Sequence, residues 1–233
     1  MKEHNKIRIL IADDHYIVRM GLVALVGTEP DMEVVAEAAD GDAALELFIK
    51  HQPDLALLDL RMPGKSGIQT ITDIRTRFPN ARILVLSAFG GDEEIYQALH
   101  AGAQGYVLKS STSDKLVPAL RAVAAGQNWI PQDVANQLAS RKMLEELTSR
   151  ELQVLNEMAK GLANKEIARV LSISEYTVKD HLKSILGKLH AADRTEAVTT
   201  AIQRGIIHLE ENQAKQTAVS KSEVGLNSST SGN

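Results

Sequence analysis

Five short runs dense in Val, Ile and Leu recur through the first half of the chain, at Ile7–Ala12, Glu33–Ala38, Leu55–Asp59, Ile83–Ser87 and Gly105–Leu108. Runs this short and this apolar predict buried strands. The stretches between them space apolar residues near 3.6, as in Ala43, Ala44, Leu47 and Phe48, or Ile95, Ala98 and Leu99, which predicts four crossover helices. A fifth helix is expected at about 113–125. Repeated strand–helix units with right-handed crossovers leave one arrangement, a parallel sheet covered by helices on both faces. Residues 1–124 are therefore expected to form a five-stranded, doubly wound α/β domain. Pro118 departs from this pattern, since proline removes a backbone donor and is tolerated in the first turn, so the fifth helix starts late, near Leu116, or is kinked.

From Ala125 the pattern changes. Gly126, Asn128, Trp129 and Pro131 are followed by a helical stretch through about Met143, read together as a linker over 125–146. Residues 147–210 read as all helical. Thr148 and Glu151 form a capping box, and Gly161 closes that helix at a C′ position. Asn164 is expected to cap a short second helix ending near Leu171 and Ser174 a third, while Asp193 with Glu196 opens a fourth. The residues from 211 to 233 are rich in Ser, Thr, Gln, Gly and Asn without apolar periodicity, which predicts a disordered tail.

A length of 233 residues with 44% hydrophobic content suits two modest cores. The chain has no cysteine, which removes disulfides, thiolate metal sites and cysteine nucleophiles, and fits a reducing cytoplasm. The apolar run Ile9–Ala12 is too short for a signal peptide or a membrane span, so no membrane association is expected. The net charge of −4 is unevenly distributed: residues 1–124 carry 13 Lys/Arg against 17 Asp/Glu, and residues 147–210 carry 9 against 8. The C-terminal part is thus the net-positive one, by a single charge.

Asp13 and Asp14 follow the first predicted strand, Asp59 the third, Ser87 the fourth and Lys109 the fifth. The C-terminal edge of an open parallel sheet is where ligands bind, near the reversal of strand order, so these residues are expected to meet in one crevice. Clustered carboxylates repel unless a cation sits among them, and hard oxygen donors with retained waters point to Mg2+, with a backbone carbonyl such as that of Arg61 as a further ligand. Such an ion, with Lys109 opposite, suits phosphoryl transfer to an Asp59 oxygen. Asp13 or Asp14 alone could as well be a helix cap. Ser87 could be a small residue at a strand end, and Tyr106 a core aromatic. His15 is given no catalytic role.

Taken together, Ile9-Leu-Ile-Ala-Asp-Asp-His15, Leu57-Leu-Asp-Leu-Arg-Met-Pro-Gly64, Ser87-Ala88 and Gly105-Tyr-Val-Leu-Lys109 resemble the receiver domain of two-component response regulators, whose fold is flavodoxin-like. The resemblance implies that Asp59 is the phosphoacceptor and that Asp13, Asp14, Asp59 and the Arg61 backbone hold Mg2+. It implies further that Lys109 pairs with the phosphoryl group, that Ser87 hydrogen-bonds it, and that the Tyr106 ring turns in as Ser87 moves.

In the C-terminal part, Ile167, Ala168, Val170 and Leu171 on one helix and Val178, Leu182, Ile185 and Leu189 on the next, joined by Ser172-Ile-Ser174, give a helix-turn-helix pattern with these residues buried. Tyr176, Lys179, Asp180 and Lys183 are then left facing outward. Two lysines on an exposed helix face are ordinarily solvated charges. However, Leu147-Thr-Ser-Arg-Glu151, Gly161-Leu-Ala-Asn-Lys-Glu-Ile-Ala168 and Thr177-Val-Lys-Asp-His-Leu182 through Arg194-Thr-Glu-Ala197 resemble the LuxR-type helix-turn-helix. With the receiver, this points to the NarL/FixJ class of response regulators. The resemblance implies base contacts from Lys179, Asp180 and Lys183 and backbone contacts from Lys165, Thr177 and Lys188 on double-stranded DNA. It also implies a histidine kinase partner and a homodimer when phosphorylated or DNA-bound. Gly187 is expected to soften the end of its helix.

Three other readings stay open at this stage. The α/β architecture is shared with flavodoxins and aspartyl-phosphate phosphatases, and fold alone does not decide function. No Gly-x-x-x-x-Gly-Lys-Ser/Thr or Gly-x-Gly-x-x-Gly loop is present to cradle a nucleotide, so no catalytic residues are assigned and an enzyme is not expected. The acidic crevice could be purely structural, and the helical half could bind protein instead of DNA.

Overall fold

The computed structural model describes residues 6–88, 90–110, 113–141 and 145–207, in two compact units, one comprising essentially the first 146 residues and one from Leu147. The tail read at 211–233 lies outside the described residues, as does the end of the helix read through Met143.

The first unit holds five parallel strands, β1 (Ile7–Ala12), β2 (Met32–Ala38), β3 (Leu55–Leu58), β4 (Ile83–Ser87) and β5 (Gly105–Leu108), in the order β2-β1-β3-β4-β5. Strand order reverses between β1 and β3, which opens the crevice expected at the C-terminal edge. Helices α1 (Tyr16–Gly27), α2 (Gly41–His51), α3 (Gly67–Arg77), α4 (Asp92–His100) and α5 (Ser113–Ala124) connect and cover the strands. Leu10, Ala56, Leu58 and Val85 face one core, with Phe48, Ile71 and Ile95. Ile9, Ile11, Leu57 and Leu84 face the other, with Leu22, Leu116 and Leu120. Strands buried on both sides carry no polar alternation, which is why they read as continuous apolar runs.

Local chemistry sets the helix starts. Asp40 caps α2 by accepting from the Ala43 N–H, and Ser66 with Gln69 forms a capping box for α3. The fifth helix starts at Ser113, not near Leu116, and holds Pro118 in its interior. The segment read as a linker carries the expected helix and is packed onto the domain over its described residues up to Arg141. Trp129 forms a parallel bridge with Gly105 alongside β5, and α6 (Gln132–Arg141) packs on α4 with Val134 in the core.

The second unit contains α7 (Ser149–Ala159), α8 (Asn164–Val170) and α9 (Glu175–Leu189), followed by α10 (Arg194–Gln203). The Thr148–Glu151 capping box forms, and Gly161 sits past the end of α7 at φ +84°, in the left-handed region glycine favours. Three expectations are corrected. Ala163, not Asn164, precedes α8, and the Asn164 side chain instead accepts from Arg194. Glu196 reaches the Ala192 N–H, so only half of the Asp193 box is made. Val170 is 57% exposed, because α8 ends at it and the helix turns its apolar face to Ile167 and Ala168. Among the described residues, no helix is long and apolar enough to cross a membrane.

Candidate functional site

Parallel hydrogen bonding runs one residue past the strands: Asp13 N–H donates to Ala38 O, Asp59 N–H to Ala12 O, and Lys109 N–H to Ser87 O. Asp13, Asp59, Ser87 and Lys109 are thereby fixed at one sheet edge by backbone geometry. Asp13, Asp59 and Ser87 are buried. The Lys109 ammonium lies 2.7 Å from Asp13 Oδ2 and 2.6 Å from Asp59 Oδ2, between the two carboxylates. The Arg61 N–H is 3.3 Å from Asp59 Oδ1. Gly67 is required beside it, since a Cβ there would fall 2.3 Å from the Asp59 carbonyl oxygen.

Burial raises the Asp59 carboxyl above the ordinary aspartate value, although Lys109 and the Arg61 N–H oppose the shift. Burial acts to lower the Lys109 ammonium, but hydrogen bonds to Asp13 and Asp59 outweigh it and the net shift is upward. Asp14 is at the rim, its Oδ1 2.6 Å from His15 Nδ1. One ligand atom each from Asp13, Asp14, His15 and Asp59 lies within 4.8 Å of the others, so this acidic pocket can hold a metal ion. Three of the four donors are carboxylate oxygens, the donor type of a hard divalent cation.

Behind the pocket, Ser87 and Tyr106 are fully buried and their hydroxyls share a hydrogen bond, with burial pushing the Tyr106 phenol well up. The Tyr106 ring lies inside the domain beside Ser87. The sequence reading also missed Glu94, buried in the first turn of α4, whose Oε1 is 3.2 Å from Arg61 Nε. Burial raises its carboxyl, against the pull of Arg61. A third consecutive acid in Asp92-Glu93-Glu94, placed one position before the apolar Ile95, is the signal that could have marked it.

On α9, Val178, Ile185 and Leu189 are buried, while Tyr176, Lys179, Asp180 and Lys183 are exposed as expected. Lys165 is exposed on α8. Thr177 Oγ1 is 2.8 Å from Ser174 Oγ, in the α9 cap. Lys188 is the exception. Its ammonium is 2.8 Å from Glu151 Oε2 in a mostly buried cluster with Ser184, so it ties α9 to α7 and does not stand ready for a phosphate. Burial alone would raise the Glu151 carboxyl, but hydrogen bonds from Lys188, Ser184 and Thr148 outweigh this and bring it to about 2.

A five-stranded parallel domain with an acidic sheet edge able to hold a metal ion, followed by a helix-turn-helix, is the architecture of a two-domain regulator. Comparison with known proteins gives the family. Residues 9–121 match the response regulator receiver domain, and residues 145–201 match the bacterial regulatory proteins of the luxR family. The chain is 39% identical over 214 residues to the uncharacterized transcriptional regulatory protein YxjL of Bacillus subtilis, covering 87% of this chain and 98% of that protein. It is 40% identical over 211 residues to the nitrate/nitrite response regulator protein NarP of Escherichia coli, covering 88% and 98%. A solved structure of two RcsB dimers bound to two parallel DNAs superposes with a TM-score of 0.64 at 29% identity, over 85% of this chain and 99% of that one. The chain belongs to the two-component response regulators with a luxR-family domain, whose named relatives are transcriptional regulators.

Proposed function

We propose that Asp59 is the phosphoacceptor of this regulator and that a partner histidine kinase supplies the phosphoryl group. The observation that carries this is Lys109 held between Asp13 and Asp59 at the strand-reversal edge, a fixed cation aimed at the oxygen that would bear the new group. Asp13, Asp14, Asp59 and the Arg61 backbone carbonyl would hold Mg2+, which when bound offsets charge on the phosphoryl oxygens. Lys109 orients the Asp59 carboxylate and then pairs with the phosphoryl oxygens. Ser87 would turn its hydroxyl from Tyr106 to the phosphoryl group, leaving the Tyr106 hydroxyl to seek a new partner and the surface above it to rearrange. The pocket serves as a switch, with no metabolic reaction assigned to it.

The receiver is taken as residues 1–124, the joining segment as 125–146 and the DNA-binding domain as 147–210. On double-stranded DNA, α9 would enter the major groove with Lys179, Asp180 and Lys183 toward base edges, and Lys165 and Thr177 toward phosphates. Lys188 is left out of this set. A net charge near +1 over 147–210 gives modest nonspecific affinity, so binding calls for a homodimer on paired half-sites, in the cytoplasm. The test is incubation with acetyl phosphate and Mg2+, followed by binding to genomic DNA fragments, for the parent and Asp59→Asn. Phosphate incorporation and tighter specific binding are expected in the parent alone. Equal binding by both under all conditions would remove the receiver from control.

A further inference from the structure

Tyr176 is 74% exposed in the first turn of α9, and among the described residues of 147–207 it and Val170 are the large apolar side chains left in solvent. No hydrogen bond or ring contact engages it among the described residues. At 3.6 residues per turn, Tyr176, Lys179, Asp180 and Lys183 lie within an arc of about 100°. Val178, Ile185 and Leu189, the buried side of the helix, are centred opposite. An aromatic ring therefore stands in the same stripe as the two lysines, at its N-terminal end, the part of a recognition helix that meets base edges. Exposed aromatic area gains nothing from water, whereas the stripe around it is charge-complementary to a duplex.

Resting on the DNA-binding reading above, we propose that Tyr176 is a specificity-determining residue that packs its ring against a thymine 5-methyl group in the major groove. Of the groups on base edges there, the thymine methyl is the apolar one, and aromatic or methyl side chains are what contact it. Lys179 and Lys183 supply attraction to any sequence, and Asp180 favours an amino donor. Tyr176 adds a preference that none of these charges can express, for T over C at one position of each half-site.

The test uses the full-length protein, phosphorylated with acetyl phosphate and Mg2+, on a duplex selected from a randomised pool. Each thymine is then replaced in turn by uracil, which removes the methyl group and nothing else. Loss of one buried methyl is expected to weaken binding about fourfold per half-site at a single position. Tyr176→Ser should be insensitive to the same replacement, and Tyr176→Phe should keep the sensitivity. Uracil tolerated everywhere by the parent, or a sensitivity that survives in Tyr176→Ser, overturns the proposal. So does a Phe variant that behaves like the Ser variant, since the hydroxyl and a phosphate would then be the contact. Failure to select any duplex would strike instead at the DNA-binding reading itself.

Discussion

At the sheet edge of the α/β unit, the buried Asp13 and Asp59 are both bound to the mostly buried Lys109, and Asp59 and Lys109 are each shifted in protonation by their surroundings. On α9, Lys179, Asp180 and Lys183 stand in water, and the ion pair Lys179 makes, 3.2 Å to Glu175, is solvent-exposed and contributes little. The difference separates two kinds of charge. Buried charges are held by the fold, so removing one is felt as stability. Exposed charges are held at most by weak, solvated pairs, so removing one is felt when a partner arrives.

The strongest attempt to break this contrast is Lys109→Ala. It leaves Asp13 and Asp59 facing each other without a cation, and urea unfolding without divalent metal should show a loss of about 3–5 kcal/mol. Millimolar Mg2+ should return part of it by binding the folded form. A loss under about 1 kcal/mol would mean the pocket tolerates its own repulsion.

Glu151 sharpens the same point in the helical unit. Its folded value of about 2 lies below the ordinary 4.5, so its contribution is present above pH 4.5 and is lost as pH falls toward 2. The shift corresponds to on the order of 3 kcal/mol. Circular dichroism from pH 6 to 2 should show this loss in the parent, while Glu151→Gln starts destabilised and lacks that component.

The exposed side predicts the reverse pattern. Lys183→Ala should weaken duplex binding roughly 5- to 150-fold if it contacts a base edge, with unfolding unchanged within about 0.5 kcal/mol. Lys188→Ala, five residues along the same helix, should instead cost stability, and a melting curve tells the two lysines apart. The smallest effect is Gly187→Ala. A Cβ at Gly187 meets nothing within 4 Å, so the substitution should stabilise the helical unit by about 1 kcal/mol.

What could be read from sequence follows the range over which each feature is determined. Strand positions were legible because double-sided burial writes itself as unbroken apolar runs, and β1, β4 and β5 fall where Ile7–Ala12, Ile83–Ser87 and Gly105–Leu108 were read. The pocket was legible because its members end strands of one parallel sheet. Lys188 was misread because its partner, Glu151, is 37 residues away, and helix periodicity places a lysine on a face without saying whether another helix carries an acid to meet it. The pairing of the Arg61 side chain with Glu94 was hidden for the same reason, the two being 33 residues apart. The packing of α6 on α4 was masked by Gly126, Asn128 and Pro131, residues that read as a connector while Trp129 between them completes a strand edge.

Were an ion to enter the pocket, Lys109 would act as a filter by valence. Asp13, Asp14 and Asp59 bring three negative charges and Lys109 returns one, leaving a formal remainder of two at the rim of the sheet. A monovalent ion from the surrounding salt entering such a site leaves it half compensated, while a single divalent ion closes the balance. Because Lys109 already offsets one of the three charges, the balance that remains is one a single divalent ion would complete.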